Sequence, residues 1–250
     1  MTKIIPRIST RGYYDLKYGK TIKNNSYFLY PKKYFDKLIG SKELVIMIHG
    51  LRNDNAGAIA KVMLAKNRLS RLGYHYPVIG FSYDSNTTGA HLLKHVKRAL
   101  CAGQIIAQKN GRNLATFIED FKSTSPKTKI RLIGHSLGSQ VILSTIENLA
   151  KKNHDKIIES AHFFGASITS DVPSSKKYGP LLCKVIRGKI VNYFSPTDEV
   201  LNWANNKKFV KGPLGLNGST GKTISKYHQK LVTPKNHRFA SYAAVLTSFP

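Results

Sequence analysis

The chain is short of acidic residues, of cysteine and of long apolar runs. Two cysteines in 250 residues cannot form a disulfide framework, and neither has cysteine or histidine partners at a spacing typical of a metal site. Because Cys101 and Cys183 lie in apolar helical surroundings, we expect both to be reduced core residues. No stretch approaches the roughly 18 apolar residues of a membrane span, and the N-terminus lacks the apolar segment of a signal peptide. The expectation is a soluble, cytoplasmic protein.

The scarcity of acids leaves a large excess of positive charge. Forty Lys and Arg stand against 13 Asp and Glu, a formal net charge of +27. Such a charge favours anionic partners and opposes self-association, but it does not define a fold. The basic residues form many short clusters, such as Lys32-Lys33 and Lys207-Lys208, and no single tract dominates. Two interpretations stay open: a cationic, solvated surface, or a surface for an anionic partner such as acidic lipid, nucleic acid or a charged substrate.

Apolar runs alternate with helical patterns along most of the chain. Residues 44–48 and 78–83 read as buried strands, and the helical pattern between them closes at Gly73. This order is typical of an α/β fold with a mostly parallel central sheet and helices on both faces. The length favours one domain over residues 1–250. Its core is expected over about 40–250, with N-terminal edge strands in 1–39.

Further elements are predicted around these two strands. Residues 26–30 suggest an antiparallel edge strand, and a long helical region over about 91–122 is interrupted near Asn110-Gly111. Strands are expected at 130–133, 161–165 and 189–194. Residues 207–222, rich in glycine and lysine, are predicted to form a loop on the active-site side.

The most informative motif is Gly134-His135-Ser136-Leu137-Gly138. It follows a continuous apolar strand and precedes a stretch with helical apolar spacing, which is the context of a nucleophile elbow. In that turn a serine exposes its hydroxyl above the sheet. The chemistry indicated is acyl transfer through Ser136.

A serine nucleophile needs a histidine base and an acid that orients it, and in this kind of fold the chain order is serine, acid, histidine. Asp198 directly follows a predicted strand, at the edge where functional groups of open α/β sheets gather. An N-cap of the following helix is its alternative role, and Asp171 is the fallback acid. His237 lies in a loop between a short strand and an apolar helix and is therefore the predicted base. His228 is interpreted as a surface residue.

An oxyanion needs two preorganised backbone donors. The amide of Leu137, directly after the nucleophile, is predicted to be the first. The loop His49-Gly50-Leu51-Arg52 follows the first central strand, so the amide of Leu51 is predicted to be the second. Arg52 would add positive charge nearby.

Through His49-Gly50, the pentapeptide around Ser136, Asp198 and His237, the chain resembles the α/β-hydrolase superfamily, specifically its lipase-like and esterase-like members. The resemblance covers roughly residues 40–250. It implies a metal-free serine mechanism without a cofactor, in which water resolves an acyl-enzyme. The span between residues 164 and 189 is too short for a large helical cap, so a small cap or none is expected.

The leading hypothesis is therefore a serine hydrolase that cleaves a carboxylic ester, with a small-molecule or lipid acyl ester as substrate. Thioesterase, lactonase, amidase and acyltransferase activities use the same machinery and stay open. The alternative is a basic binding protein on a hydrolase-like scaffold that engages nucleic acid or an anionic membrane. The glycine-rich residues 215–223 resemble a phosphate-binding loop, but their spacing is one residue too long and no strand leads into them. Nucleotide binding is not expected.

Overall fold

The computed structural model describes residues 4–250 and is built around one sheet. Its strands are β1 (Arg7–Ser9), β2 (Phe28–Tyr30), β3 (Glu43–Ile48), β4 (Val78–Ser82), β5 (Lys129–His135), β6 (Ser160–Phe164), β7 (Ile190–Phe194) and β8 (Tyr227–Leu231). Their spatial order is β2-β1-β4-β3-β5-β6-β7-β8. Only β2 runs antiparallel, at the edge beside β1, and the other neighbours pair in parallel.

The strand register brings several chain segments to one edge. At the carboxyl end of β3, Ile48 pairs with Gly134 of β5 on one side and with Phe81 of β4 on the other. At the carboxyl end of β5, His135 pairs with Phe164 of β6. The loops that follow these strands therefore meet above the middle of the sheet, as expected for parallel strands.

Helices cover both faces of the sheet. They are α1 (Lys32–Asp36), α2 (Asn55–Arg71), α3 (Val96–Thr124), α4 (Gly138–Lys151), α5 (Gly179–Val185), α6 (Glu199–Asn206), α7 (Leu214–Asn217) and α8 (Phe239–Val245). Along β3, Ile46 packs into the core on the α3 and α4 side, while Val45 and Met47 pack into the core on the α2 and α8 side. A strand buried on both faces explains the continuous apolar run in the sequence. The predicted fold class is confirmed.

The expected break in the long helix is wrong. Helix α3 runs without interruption from Val96 to Thr124, and a short 3₁₀ turn precedes it at Leu93–His95. A Cβ on Gly111 would lie 2.4 Å from the Cβ of Ser144, so this glycine allows α3 and α4 to approach closely. The low helix propensity of Asn110-Gly111 predicted a break, but the packing of α3 against α4 keeps the helix continuous.

Two further expectations need correction. Cys101 is exposed and Cys183 is half-buried, so Cys101 is not a core residue, because α3 turns its neighbours Ala99 and Ala102 inward instead. Residues 207–222 are not loop throughout, since they contain α7. A Cβ on Gly215 of α7 would lie 2.1 Å from the Ala166 amide nitrogen, so the glycine lets α7 sit directly on the loop after β6.

The connection between β6 and β7 contains only the seven-residue helix α5, so no large helical cap is inserted there. Across residues 4–250, no helix combines the length and apolar character needed to cross a membrane.

Candidate active site

Ser136 occupies a sharp turn between β5 and α4. Its φ of +53° lies in the left-handed region, which is uncommon for a residue with a side chain and marks a strained turn. The Ser136 amide donates to the carbonyl oxygen of Phe164 at 3.0 Å, which anchors the turn to the end of β6. The Ser136 side chain is partly exposed. The turn thus presents a hydroxyl at the carboxyl edge of the sheet, as a nucleophile elbow does.

The two glycines of the pentapeptide are required by close packing. A Cβ on Gly134 would lie 2.7 Å from Cδ1 of Ile142 in α4. On Gly138 it would lie 2.5 Å from the carbonyl oxygen of Ile48 at the end of β3. Their small size therefore lets α4 start directly over the sheet and aims its N-terminus at the space around Ser136.

Ser136, His237 and Asp198 form one hydrogen-bonded chain. The distance from Ser136 Oγ to His237 Nε2 is 2.8 Å, and that from His237 Nδ1 to Asp198 Oδ2 is 2.7 Å. Because an ionised carboxylate can only accept, His237 carries its proton on Nδ1 and turns the Nε2 lone pair towards the serine. The three groups come from the ends of β5 and β7 and from the loop before α8.

Asp198 makes both of the contacts considered for it. Its Oδ1 accepts from the amide of Leu201 at 3.1 Å and so caps α6, while Oδ2 faces His237. Tyr242 of α8 also donates its hydroxyl to Oδ2, at 2.7 Å. Burial alone would raise the pKa of Asp198, but the hydrogen bonds from His237, Tyr242 and Leu201 hold it below the ordinary value. The carboxylate is therefore ionised at neutral pH.

The loop after β3 lies against the nucleophile. A Cβ on Gly50 would lie 2.9 Å from the Cβ of Ser136, so only glycine fits there. The carbonyl oxygen of Gly50 accepts from Asn53 Nδ2 at 3.0 Å and from His49 Nδ1 at 3.0 Å. In a planar trans peptide, the Leu51 N–H points opposite to that oxygen. Asn53 and His49 therefore fix the direction of the Leu51 amide.

Some backbone amides of this region already donate a hydrogen bond within the protein, and others do not. Arg52 donates its amide to the carbonyl oxygen of Ser85 at 2.8 Å. In the part of the chain that the structure describes, the amides of Leu51 and Leu137 have no protein acceptor. Two free amides thus flank Ser136, and that of Leu137 also carries the partial positive charge of the α4 N-terminus.

Two buried histidines support the site, and neither was assigned a role from the sequence. His135 Nε2 donates to the carbonyl oxygen of His237 at 2.7 Å. Burial, with a contribution from His237, lowers the pKa of His135 to about 3, so the ring stays neutral. His49 stacks on Tyr83 with ring centroids 4.5 Å apart, and burial, with Arg11 nearby, lowers its pKa to about 3. Both rings hold backbone in place rather than exchange protons at neutral pH.

The sequence carried partial signals for these supporting groups. His135 and His49 stand inside the motifs, but their partners lie far along the chain. Asn53 follows Gly50 by three residues, a spacing at which a side-chain amide can bond the backbone of its own turn. Tyr242 lies within an apolar helix, and nothing in that pattern indicates a contact with Asp198.

Other candidates lie outside this cluster. Asp171 is half-buried and accepts from Thr169 Oγ1 at 2.6 Å, and His228 is exposed on β8. The guanidinium of Arg52 contacts the ring of His91. Among residues 4–250, no three His, Cys, Asp or Glu side chains lie close enough together to hold a metal ion.

The fold and this site define a class. A mostly parallel sheet in the order given above, a serine elbow between β5 and α4, and an acid after β7 followed by a histidine near the end constitute an α/β-hydrolase-type scaffold.

Comparisons with known proteins are distant. The model of a family described as a protein of unknown function (DUF726) matches residues 96–210, which is less than half of the chain. No curated protein sequence matches this chain. Among solved structures, it is similar to the Trichoderma reesei cutinase, with 15% identity, a TM-score of 0.36, and coverage of 59% of this chain and 62% of the cutinase. The alignment thus spans less than two thirds of the cutinase.

Two other similar structures are covered more fully. The catalytic core domain of acetyl xylan esterase from Trichoderma reesei shows 9% identity and a TM-score of 0.40, over 77% of this chain and 82% of that one. XC6422 from Xanthomonas campestris, described as a serine hydrolase without a lid, shows 13% identity and a TM-score of 0.43, over 82% and 78%. With TM-scores below 0.5, these similarities carry no argument about this chain.

Proposed function

We propose that the protein is a serine hydrolase that cleaves carboxylic esters through an acyl-enzyme. The observation that carries this proposal is the hydrogen-bonded chain of Ser136, His237 and Asp198, with the serine in a left-handed turn. A buried carboxylate, a histidine with a defined tautomer and a partly exposed hydroxyl are the parts that acyl transfer requires.

In the first half-reaction, Ser136 Oγ attacks the ester carbonyl carbon while its proton moves to His237 Nε2. The carbonyl π electrons move onto oxygen, and the amides of Leu137 and Leu51 donate to the oxyanion. Asp198 stabilises the imidazolium that forms. When the tetrahedral intermediate collapses, the bond to the alcohol oxygen breaks and Nε2 returns the proton to that oxygen. The alcohol leaves and the acyl group stays on Ser136.

In the second half-reaction, water replaces the alcohol. His237 Nε2 takes a proton from the water as its oxygen attacks the acyl carbon, and the same two amides hold the second oxyanion. Collapse then returns the proton to Ser136 Oγ and releases the carboxylic acid. Thioesters, lactones and amides could pass through the same steps, because the site acts only on the carbonyl group and the leaving atom.

Hydrolysis of p-nitrophenyl butyrate tests this proposal. We expect Ser136→Ala, His237→Ala and Asp198→Asn each to lower kcat by about 10⁴-fold, because the three side chains act as a unit. The chain supplies matched controls in the two runner-up residues. His228→Ala and Asp171→Asn should leave kcat within about twofold of the parent, because neither side chain is hydrogen-bonded to Ser136, His237 or Asp198. Equal losses from His228→Ala and His237→Ala, or full activity in Ser136→Ala, would contradict the assignment.

A second candidate is a basic binding protein on an inactive scaffold. The charge of +27 is the observation in its favour. It predicts no ester turnover and salt-sensitive binding of polyanions. A protein without catalytic activity would not need a buried Asp198 carboxylate that accepts hydrogen bonds from His237, Tyr242 and Leu201. We therefore favour the hydrolase.

A further inference from the structure

The connection between β4 and α3 carries an unusual exposed segment. Residues 91–98 read His-Leu-Leu-Lys-His-Val-Lys-Arg, and we call them the leucine tip. Leu92 is 51% exposed and Leu93 is 85% exposed, which makes Leu93 the most exposed large apolar side chain of the described residues. Lys94 and Lys97 are exposed beside them. Exposure of two adjacent leucine side chains to water costs free energy, so their position beside exposed lysines needs an explanation.

The leucine tip lies on the same edge of the sheet as Ser136. It follows β4 and precedes α3, so topology places it at the carboxyl edge. Thr87, just before it, donates its hydroxyl to the carbonyl oxygen of Ala99 at 2.9 Å. Farther along α3, a Cβ on Gly103 would lie 2.5 Å from Cδ1 of Leu51. The first turns of α3 therefore pack on the loop proposed to hold the oxyanion.

The charge around the tip has one sign. Residues 91–98 contain Lys94, Lys97 and Arg98 and no acid, and among the described residues none of the three pairs with a carboxylate. Further exposed lysines follow α6 on the same edge, namely Lys207, Lys208 and Lys211. Gln104 of α3 donates to the carbonyl oxygen of Phe209 at 3.3 Å and so ties that segment to α3.

We propose that the leucine tip docks the protein on an anionic phospholipid surface, with Leu92 and Leu93 in the acyl boundary and the flanking cations at the headgroups. Apolar side chains bordered by Lys and Arg suit such an interface, because burial and attraction to acidic lipid act together. The site would then take ester lipids of that surface as substrates. This last step rests on the proposed esterase function, whereas docking itself does not.

Other occupants fit the tip less well. A second copy of the chain would also carry a charge of +27, so the two copies would repel each other. Single-stranded nucleic acid is held by aromatic side chains that stack on bases, and residues 91–98 contain no Phe, Tyr or Trp. Exposed aliphatic side chains gain free energy in lipid and gain little on a phosphate backbone.

Vesicle flotation with Ser136→Ala protein tests the docking without consuming lipid. We expect binding to phosphatidylcholine vesicles that contain phosphatidylserine, and weaker binding to phosphatidylcholine alone. The double variant Leu92→Asp, Leu93→Asp should lower the partition coefficient by about tenfold or more. Lys94→Gln with Lys97→Gln should lower it on the acidic vesicles only and reduce its salt dependence.

A matched control comes from the opposite edge of the sheet. Ile39 precedes β3 at its amino end and is 51% exposed, like Leu92, so Ile39→Asp should leave the partition unchanged. In the protein with Ser136 intact, the leucine variant should hydrolyse soluble p-nitrophenyl butyrate at the parent rate and lose activity only on vesicle-borne esters. That result separates docking from catalysis.

Three outcomes would overturn the proposal. One is equal vesicle binding by the parent and the double leucine variant. A second is a loss in the Ile39 variant as large as that in the leucine variant. The third is a change of oligomeric state in the leucine variant without a change in vesicle binding, which would make the tip a contact between copies. If soluble esters are not cleaved while docking behaves as expected, the esterase fails and the docking surface stands.

Discussion

Asn53 offers a specific test of how the fold prepares the oxyanion site. Its side-chain amide donates to the carbonyl oxygens of Gly50 at 3.0 Å and Leu51 at 2.9 Å. Asn53→Asp keeps the size but replaces both donors with an acceptor, which repels the two carbonyl oxygens. The peptide between Gly50 and Leu51 then keeps only the hydrogen bond from His49 Nδ1, so the Leu51 amide is held less firmly.

The expected loss of kcat follows from the weakened oxyanion donor at Leu51. Removal of one oxyanion donor costs about 10²- to 10³-fold in kcat, and a misdirected donor should cost part of that, about 10- to 100-fold. KM should change little, because the contact strengthens only as charge develops on the carbonyl oxygen. Loss of the Asn53 donor should also cost about 1–3 kcal/mol of folding free energy, because the Leu51 carbonyl loses its donor and the Gly50 carbonyl keeps only that from His49.

The assay is steady-state hydrolysis of p-nitrophenyl butyrate with thermal unfolding in parallel. Asn55→Asp is the control, because Asn55 is exposed in the first turn of α2 and gains the same charge. A folded Asn53→Asp variant with the parent kcat would show that Asn53 does not orient the Leu51 amide. A raised KM at constant kcat would also contradict this role, because that result would place Asn53 in substrate binding.

Three other perturbations test the contacts that stabilise the site and the fold. Tyr242→Phe removes the 2.7 Å hydrogen bond to Asp198 and should cost about 1.5–3 kcal/mol in urea unfolding, with a several-fold lower kcat. Gly138→Ala would place a Cβ 2.5 Å from a backbone oxygen at the end of β3; we expect about 1–3 kcal/mol of destabilisation and loss of ester turnover as α4 shifts. Acid should unfold the protein early, because burial lowers the pKa of three histidines to about 3, namely His49, His135 and His162. In the unfolded chain such groups titrate near 6.5, so the stability they contribute is complete above about pH 6.5 and is lost as the pH falls towards 3. Urea titrations should therefore show a slope of about 4 kcal/mol per pH unit near pH 5, and His162→Gln should reduce it by about 1.4; an unchanged slope would refute the burial argument.

Local patterns were sufficient to predict much of the fold. The run at residues 44–48 is apolar on every side chain because β3 is buried on both faces, and no local pattern competes with that signal. The turn at Ser136 was predictable because strand, glycines and helix are adjacent in the chain. The order of Asp198 and His237 after the serine added the long-range information that spacing alone lacks.

Other features depend on contacts between distant segments. Gly111 resembles a helix breaker in the sequence, yet it faces Ser144, which lies 33 positions further along the chain, and permits two helices to pack closely. Tyr242 reaches Asp198 from another helix, and His135 bonds the backbone of His237 across 102 positions. Such pairings arise only when the sheet has assembled, so no window of sequence contains both partners.

The central claim is that Ser136 is an activated nucleophile, and covalent labelling by a fluorophosphonate tests it without a known substrate. We expect one adduct per chain, located on Ser136 by mass spectrometry, with labelling slowed strongly in His237→Ala and unaffected in His228→Ala. No adduct on a folded protein, or labelling of a serine other than Ser136, would contradict it.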